Sequence, residues 1–362
     1  MGIYVQNKNH NSSYIINKMK RILFAILAFL PMFGMAQETA TVQNDSLKAT
    51  AAPIKVRRSP KGMIIVGEKP NVRVFQGFGG NKKNGERYAQ IANRYADALD
   101  GKVKMYMMII PTQSAYYTPE SVSSWSRPQQ PEIQEVYDAT NGKITCIDCY
   151  SALLPHVDEP IYLRTDHHWA PLGGYYAAEE FAKVAQVPFR DLSCFEPDTV
   201  HRFIGTMNMY SGNNACAGSP EEFVFYRPKD TNTTATFIRY RLSGMKPIGE
   251  NPAREEDFFR KFKDGSVAAY STFMGGDACT VKVMGSVKNG RRLLITKDSF
   301  GNALPGYLFN SFEEIHVIDP RYYTKGILTY ISENNINEWL MTNNSVFVQT
   351  AVTSNNLEKL FK

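Results

Sequence analysis

The stretch Leu293-Leu294-Ile295-Thr296-Lys297-Asp298-Ser299-Phe300-Gly301-Asn302 places a short apolar run directly before a polar turn. An apolar run of this length bounded by turn residues reads as a strand buried on both faces, and the residues after it, through Leu304, read as a helix. The rhythm recurs downstream. Ile315-His316-Val317-Ile318 precedes a helix near Leu328, and Trp339-Leu340-Met341 closes the set. Upstream, Tyr88, Ile91, Ala92, Tyr95 and Leu99 recur at helical spacing between Gly85 and Leu99. A strand from Val103 to Ile110 then stops at Pro111, a further strand is expected around Cys146, and a helix from Gly174 to Val184. Short apolar strands alternating with helices predict an α/β fold, a parallel sheet covered on both faces.

Residues 201–290 have another texture. Glu222-Phe223-Val224-Phe225-Tyr226 and Thr236-Phe237-Ile238-Arg239-Tyr240-Arg241 alternate as antiparallel strands do. They read as a β-rich insertion that shapes a groove over the sheet. The chain shows no internal repeat of solenoid period, and with 362 residues, 43% of them hydrophobic, it has the material for one large core.

The N-terminus reads as an export signal. Lys20-Arg21 precede an apolar stretch from Ile22 to Phe33, and Gly34-Met35-Ala36 offers small residues for cleavage before Gln37. The apolar stretch is too short for a membrane span, which needs roughly 20 residues. Residues 1–36 are therefore expected to be a signal peptide, with Met19 the better start, and residues 37–60 a polar linker to a domain at 61–362 that begins near Met63. The expected location is the periplasm or the exterior. Net charge is +6 with scattered Lys and Arg, unlike the concentrated basic face of a nucleic-acid binder; a mild positive surface suits an acidic polysaccharide. Among five cysteines, Cys146 and Cys149 form a C-x-x-C pair. It reads as a structural disulfide or as buried thiols, because it lies in a strand-like run and no second pair completes a zinc site.

Two motifs carry chemistry. In Arg164-Thr165-Asp166-His167-His168-Trp169, an imidazole can accept a hydroxyl proton while a carboxylate fixes its tautomer. In Lys297-Asp298-Ser299-Phe300, a serine sits where a strand ends and a helix opens, the usual place for sites of open α/β sheets; backbone N–H groups there can hold an oxyanion. Plainer roles stand beside these. Ser299 or Asp298 could serve only as a helix N-cap, the histidines could be core or surface residues, and Asp166 with both histidines could ligate a metal. Adjacent histidines tend to point apart and no third ligand cluster is evident, so no metal and no cofactor is expected.

Taken together, Thr165-Asp166-His167-His168-Trp169, Lys297-Asp298-Ser299-Phe300 and Ile318-Asp319-Pro320-Arg321-Tyr322-Tyr323 resemble the bacterial DHHW protein family, itself similar to the SGNH-hydrolase-like periplasmic proteins that O-acetylate alginate. The resemblance runs from about Met63 to Val348. It implies a three-layer α/β/α domain and a serine-dependent O-acyltransferase or esterase, most naturally for acetyl groups, acting on an extracytoplasmic glycan with a membrane protein delivering the acyl donor. On that resemblance Ser299 matches the nucleophile, His168 the base and Asp166 its orienter, with His167 between them. Arg321 matches an active-site arginine expected to bind an acyl group or sugar carboxylate, and Asn343 the place of an oxyanion-hole asparagine. The run Phe273-Met274-Gly275-Gly276-Asp277 departs from the family in ending on Asp rather than Asn; a carboxylate near an oxyanion would repel it, so Asp277 either points away or argues against full activity. A non-catalytic glycan-binding or envelope-assembly protein on the same fold is the alternative.

Overall fold

The computed structural model describes residues 54–230 and 233–362. The chain enters through a small antiparallel sheet, β1 (Val56–Arg58), β2 (Ile64–Val66) and β3 (Arg73–Phe75). Helix α1 (Lys82–Leu99), strand β4 (Lys104–Ile110), helix α2 (Gln129–Asp138) and strand β5 (Ile144–Ile147) follow. Helix α3 (Pro171–Ala185) leads to a two-stranded ribbon, β6 (Phe195–Phe203) with β7 (Glu221–Pro228). Next come β8 (Thr234–Ser243), β9 (Lys246–Glu250), β10 (Arg254–Glu255), β11 (Cys279–Met284), β12 (Arg292–Lys297) and β13 (Glu314–Ile318). Helix α4 (Ile327–Glu333), β14 (Glu338–Asn344) and α5 (Ala351–Lys359) end the chain.

The central sheet runs β10-β8-β11-β13-β12-β14-β4-β5, with β9 on β8. Its parallel heart is β13-β12-β14-β4-β5. Because successive side chains on a strand point to opposite faces, each apolar run feeds two cores. Met105, Met107 and Ile109 of β4 join Leu294, Trp339 and Met341 under α1, α2, α4 and α5. Tyr106, Met108 and Ile110 join Leu293, Ile295 and Leu340 against α3. This is the expected three-layer arrangement. Trp339 is fully buried, so truncating it to alanine is expected to cost about 3–5 kcal/mol.

Local sequence sets the helix ends. The Asn81 side chain accepts from the Asn84 N–H at the start of α1, supplying a partner that the first turn lacks. Pro171 opens α3, where its missing N–H costs nothing.

Three expectations change. Strand β1 lies inside 37–60, read as a linker: Val56, Arg57 and Arg58 pair with Val66, Ile65 and Ile64, so the fold starts before Met63. The 201–290 segment is only partly an insertion. Its β8 and β11 extend the central sheet antiparallel from β13 because Val281 and Val283 are apolar enough to be buried within it, and the separate ribbon starts earlier, at Phe195. Cys149 opens a helical turn, Cys149–Leu153, rather than continuing the strand, and all five cysteines are free thiols. The expected signal peptide lies outside the described residues. Among those described, no helix is long and apolar enough to cross a membrane.

Candidate active site

The C-terminal ends of β4, β12, β13 and β14 converge with the loop before α3. The turn that carries Ser299 follows β12 directly. Asp298, fully buried, caps it: its carboxylate accepts from the Phe300 N–H at 2.9 Å and from the Asn344 N–H and side-chain amide at 2.7 and 2.9 Å. The capping role therefore belongs to Asp298, and Ser299, the first residue of the turn Ser299–Ala303, keeps its hydroxyl free. Its N–H is one that such a turn cannot satisfy internally.

The Ser299 hydroxyl lies 2.7 Å from His168 Nε2. On the other side of that ring, His168 Nδ1 lies 2.6 Å from Asp166 Oδ1. Asp166 also accepts from the Thr206 N–H and hydroxyl, each at 2.8 Å, and from the His168 N–H at 3.1 Å. Burial works to raise the Asp166 carboxyl's pKa, but the attraction of His168, its hydrogen bond, His167 and the Thr206 N–H outweigh it and hold the group well below the ordinary carboxylate range. An ionised Asp166 fixes the His168 proton on Nδ1, which leaves Nε2 as an acceptor for the serine proton. Tyr270 stacks on the His168 ring, centroids 3.8 Å apart and planes 6° off parallel, and holds its orientation.

The loop carrying Asp166 is itself clamped. Glu221, at the start of β7, accepts from the Arg164 and Thr165 N–H groups and from the Thr165 hydroxyl. The Gln113 amide donates to the Asp166 carbonyl at 2.5 Å. Gly205 is required by close approach: a Cβ there would lie 2.4 Å from the Asp166 Cβ. Sequence reading had missed Thr206, Gly205, Glu221 and Tyr270. Their signal was weak, since single residues in a β-rich stretch give no hint that they fold back onto a motif far upstream, 40 positions away for Thr206 and 57 for Glu221.

Contrary to the expectation that adjacent histidines point apart, His167 lies against the His168 ring, centroids 3.7 Å apart, but it bonds a different partner. Its Nδ1 meets the Thr206 hydroxyl at 2.8 Å; because that hydroxyl donates to Asp166, its oxygen accepts from His167. Burial and the neighbouring His168 push His167 down to about 4. Together with Phe75, Phe300, Val346 and Phe347, His167 lines a shallow apolar hollow of about 80 Å³ beside the serine turn. Asp166, His167 and His168 each bring a possible ligand atom within 4.8 Å of the others. Yet His168 Nδ1 and Asp166 are engaged with each other and Nε2 faces Ser299, the arrangement of a proton relay.

The remaining candidates fall differently. Asn343 takes the Tyr88 hydroxyl at 2.9 Å on the α1 side of the sheet; the asparagine lining the hollow is Asn344, whose amide is held by Asp298. Arg321 lies close by, but Asp319 binds it through Nε and Nη2 at 2.9 and 2.6 Å, and Asp277 at 2.9 Å. Asp277 also accepts from Lys297 at 3.1 Å and Asn302 at 2.7 Å. Burial opposes its charge, but Lys297 and Arg321 outweigh that and hold Asp277 well below the ordinary carboxylate range. It is thus tied down and neutralised.

Solved structures of known proteins are similar to this chain to different degrees. The crystal structure of a DHHW family protein from Eubacterium siraeum is similar over 85% of this chain and 98% of that one, with 32% identity and a TM-score of 0.76. Bacillus cereus PatB1 with a sulfonyl adduct aligns over 83% of this chain and 99% of its own at 16% identity and TM-score 0.63. The O-acetyltransferase domain of Pseudomonas putida AlgJ aligns over 84% and 99% at 10% identity and TM-score 0.44. No curated protein matches the sequence significantly. The fold is SGNH-hydrolase-like, a mixed α/β domain around a largely parallel sheet. The family model described as DHHW protein matches residues 40–318, and with the Eubacterium siraeum relative this settles the assignment: the chain belongs to the DHHW family.

Proposed function

We propose that this protein is an exported serine-dependent O-acyltransferase or esterase that moves a short acyl group, acetyl in the first instance, on or off a glycan hydroxyl. The observation that carries it is the unbroken relay Asp166–His168–Ser299, with contacts of 2.6 and 2.7 Å. In this reading Ser299 Oγ attacks the acyl carbonyl while His168 Nε2 takes its proton. The oxyanion meets the Ser299 N–H. His168 passes the proton to the leaving oxygen, and an acyl-enzyme remains. A sugar hydroxyl or a water then attacks, again giving its proton to His168, and Ser299 recovers it as the ester breaks. The small hollow beside His167 and Phe300 suits a two- or three-carbon acyl group. A polysaccharide is the proposed acceptor, with a membrane protein supplying the donor, and the leader at 1–36 would place the reaction outside the cytoplasm.

A second reading has its own observation. The amides of Asn302 and Asn344 are bound to Asp277 and Asp298, which leaves the oxyanion few donors and favours a glycan binder without turnover. A chromogenic acetyl ester and a sulfonyl fluoride separate the two. Acylation and sulfonylation of Ser299, seen by peptide mass, and their loss in Ser299→Ala and His168→Ala, are expected. Turnover should fall by roughly a millionfold in Ser299→Ala, and the double variant should be no worse, because the relay works as a unit. Ser299 does not cap the turn, so melting should shift by only about 1 kcal/mol. Equal turnover in wild type and Ser299→Ala would sink the serine mechanism.

A further inference from the structure

Next to the relay, Lys297, Asp277, Asp319 and Arg321 form a closed ionic group. Lys297 bridges Asp277 and Asp319 at 3.1 and 3.0 Å. Arg321 is held by the same two carboxylates. Lys297 and Asp319 are sealed, 1% and 0% exposed, whereas Asp277 and Arg321 are 22% and 23% exposed and so form the face a ligand can reach. That face belongs to the site. The Arg321 guanidinium sits 5.8 Å from the Phe347 ring, which lines the hollow with His167, and both Asp277 and Arg321 act electrostatically on His167.

From this we infer that Asp277 is a specificity-determining residue: by occupying Arg321 it makes the site one for a glycan that is uncharged where it meets the protein, and excludes uronate sugars. The inference rests on the acyl-transfer reading, which makes this rim the acceptor's side. A guanidinium recognises a carboxylate by offering paired N–H donors, and here the donors on Nε and Nη2 are already given to Asp319 and Asp277. The local charges reinforce the point. Asp166, Asp277 and Asp319 outnumber Lys297 and Arg321, even leaving Asp298 aside. Within this group of charges a sugar carboxylate would meet no uncompensated positive charge and at least one uncompensated negative one, and like charges brought together across an interface are strongly disfavoured; Arg73, hydrogen-bonded to Gln113 in the wall of the hollow, stands outside the group. The chain's overall +6 is therefore not a guide to its acceptor. What the rim offers instead is apolar. Phe347 is half-buried on one side. On the other, Tyr210 is exposed, with its ring centroid 5.9 Å from that of His167. Aromatic faces of this kind pack against the C–H faces of neutral sugars.

The test compares one neutral oligosaccharide with the same oligosaccharide oxidised at C6 to the uronate. Binding of each to the full chain is measured by calorimetry at low salt, alongside acetyl transfer to each from the chromogenic ester. The neutral ligand should bind about tenfold or more tightly than the uronate. Asp277→Asn should erase most of that ratio by removing one negative charge from the rim and releasing its hold on Arg321 Nη2, although Asp319 still binds Nε and Nη2, and adding Arg321→Gln should restore it. Wild type that binds the uronate as well as the neutral sugar, or binds neither, overturns the inference. So does a folded Asp277→Asn with an unchanged ratio; if that variant fails to fold, the wild-type ratio alone decides. An absent ester burst with the preference intact would instead refute the acyl-transfer reading and leave the binding preference standing.

Discussion

Two clusters bury carboxylates at the same edge of the sheet, on either side of Ser299, and they hold them in opposite ways. Asp166 is surrounded by neutral donors, the Thr206 N–H and hydroxyl and the His168 N–H, plus one imidazole that can gain or lose a proton. Asp277 and Asp319 are matched to Lys297 and Arg321. Burial works against the Lys297 ammonium, but those two carboxylates outweigh it and hold its pKa above its ordinary value; in Arg321 too, the paired Asp319 and Asp277 outweigh burial and raise the pKa further. A charge met by dipoles and one titratable base is poised to stabilise an imidazolium. A charge met by permanent cations is locked. In the proposed reaction the first cluster moves a proton, while the second ties the ends of β12 and β13 together and sets the local field.

If that contrast is right, the two clusters respond differently to neutral substitution. Asp166→Asn should leave the fold intact and lower ester turnover by about 10⁴-fold, because the amide no longer fixes the productive His168 tautomer. Lys297→Met should do the reverse. It leaves buried carboxylates short of a cation, and breaking such a pair costs about 3–5 kcal/mol, read as a lower denaturation midpoint, while the folded fraction retains turnover. A Lys297→Met protein that melts like wild type, or an Asp166→Asn protein that loses stability rather than rate, would collapse the distinction.

Much of the fold was legible because β4, β12, β13 and β14 are short apolar runs whose alternation feeds two cores. The helix on 85–99 and the relay's three members were legible for similar reasons, one periodic and the others chemically dense. What escaped was long-range placement. The 201–290 stretch reads as strands, but nothing in Thr236–Arg241 says that it will pair with β11 and extend the main sheet. Asn343 and Asn344 are adjacent and identical in type; only the pleat decides which faces α1 and which the hollow, and a shift of one residue reverses the answer. Arg321 was expected to be open to substrate, and its capture by Asp277 depends on a partner 44 positions away in another strand's approach.

A buried imidazole outside both clusters provides a scale for them. His316, on β13, is fully buried against Tyr330 and Glu314, and burial pushes it down to about 4 despite the Glu314 hydrogen bond. The unfolded chain takes up this proton first as pH falls. The stability is therefore fully present above about 6.5 and lost as pH drops from there toward 4, at most about 3 kcal/mol. Melting followed between pH 7 and 4 should show this slope in wild type and a shallower one in His316→Asn. Equal slopes would mean that acid sensitivity arises elsewhere.

The smallest effect is expected at His167, and it tests the division of labour most finely. His167 and His168 are neighbours with ring centroids 3.7 Å apart, yet only His168 touches Ser299. His167 gives its Nδ1 proton to Thr206 and presents the rest of its ring to the apolar hollow. Replacing it with alanine removes one wall of that hollow and one of the partners that steady the Thr206 hydroxyl, while the Thr206 N–H still holds Asp166. Turnover of the acetyl ester should stay within about tenfold of wild type, since a general base accounts for roughly 10²–10⁴-fold and in the proposed mechanism that base is His168. The loss should appear mainly in KM, because the wall it supplies would contact the acyl group in the proposed reaction. A propionyl or butyryl ester should suffer less than the acetyl ester, or gain, as the hollow widens. If His167→Ala abolishes turnover while His168→Ala spares it, the base has been assigned to the wrong ring and the 2.7 Å contact to Ser299 is incidental.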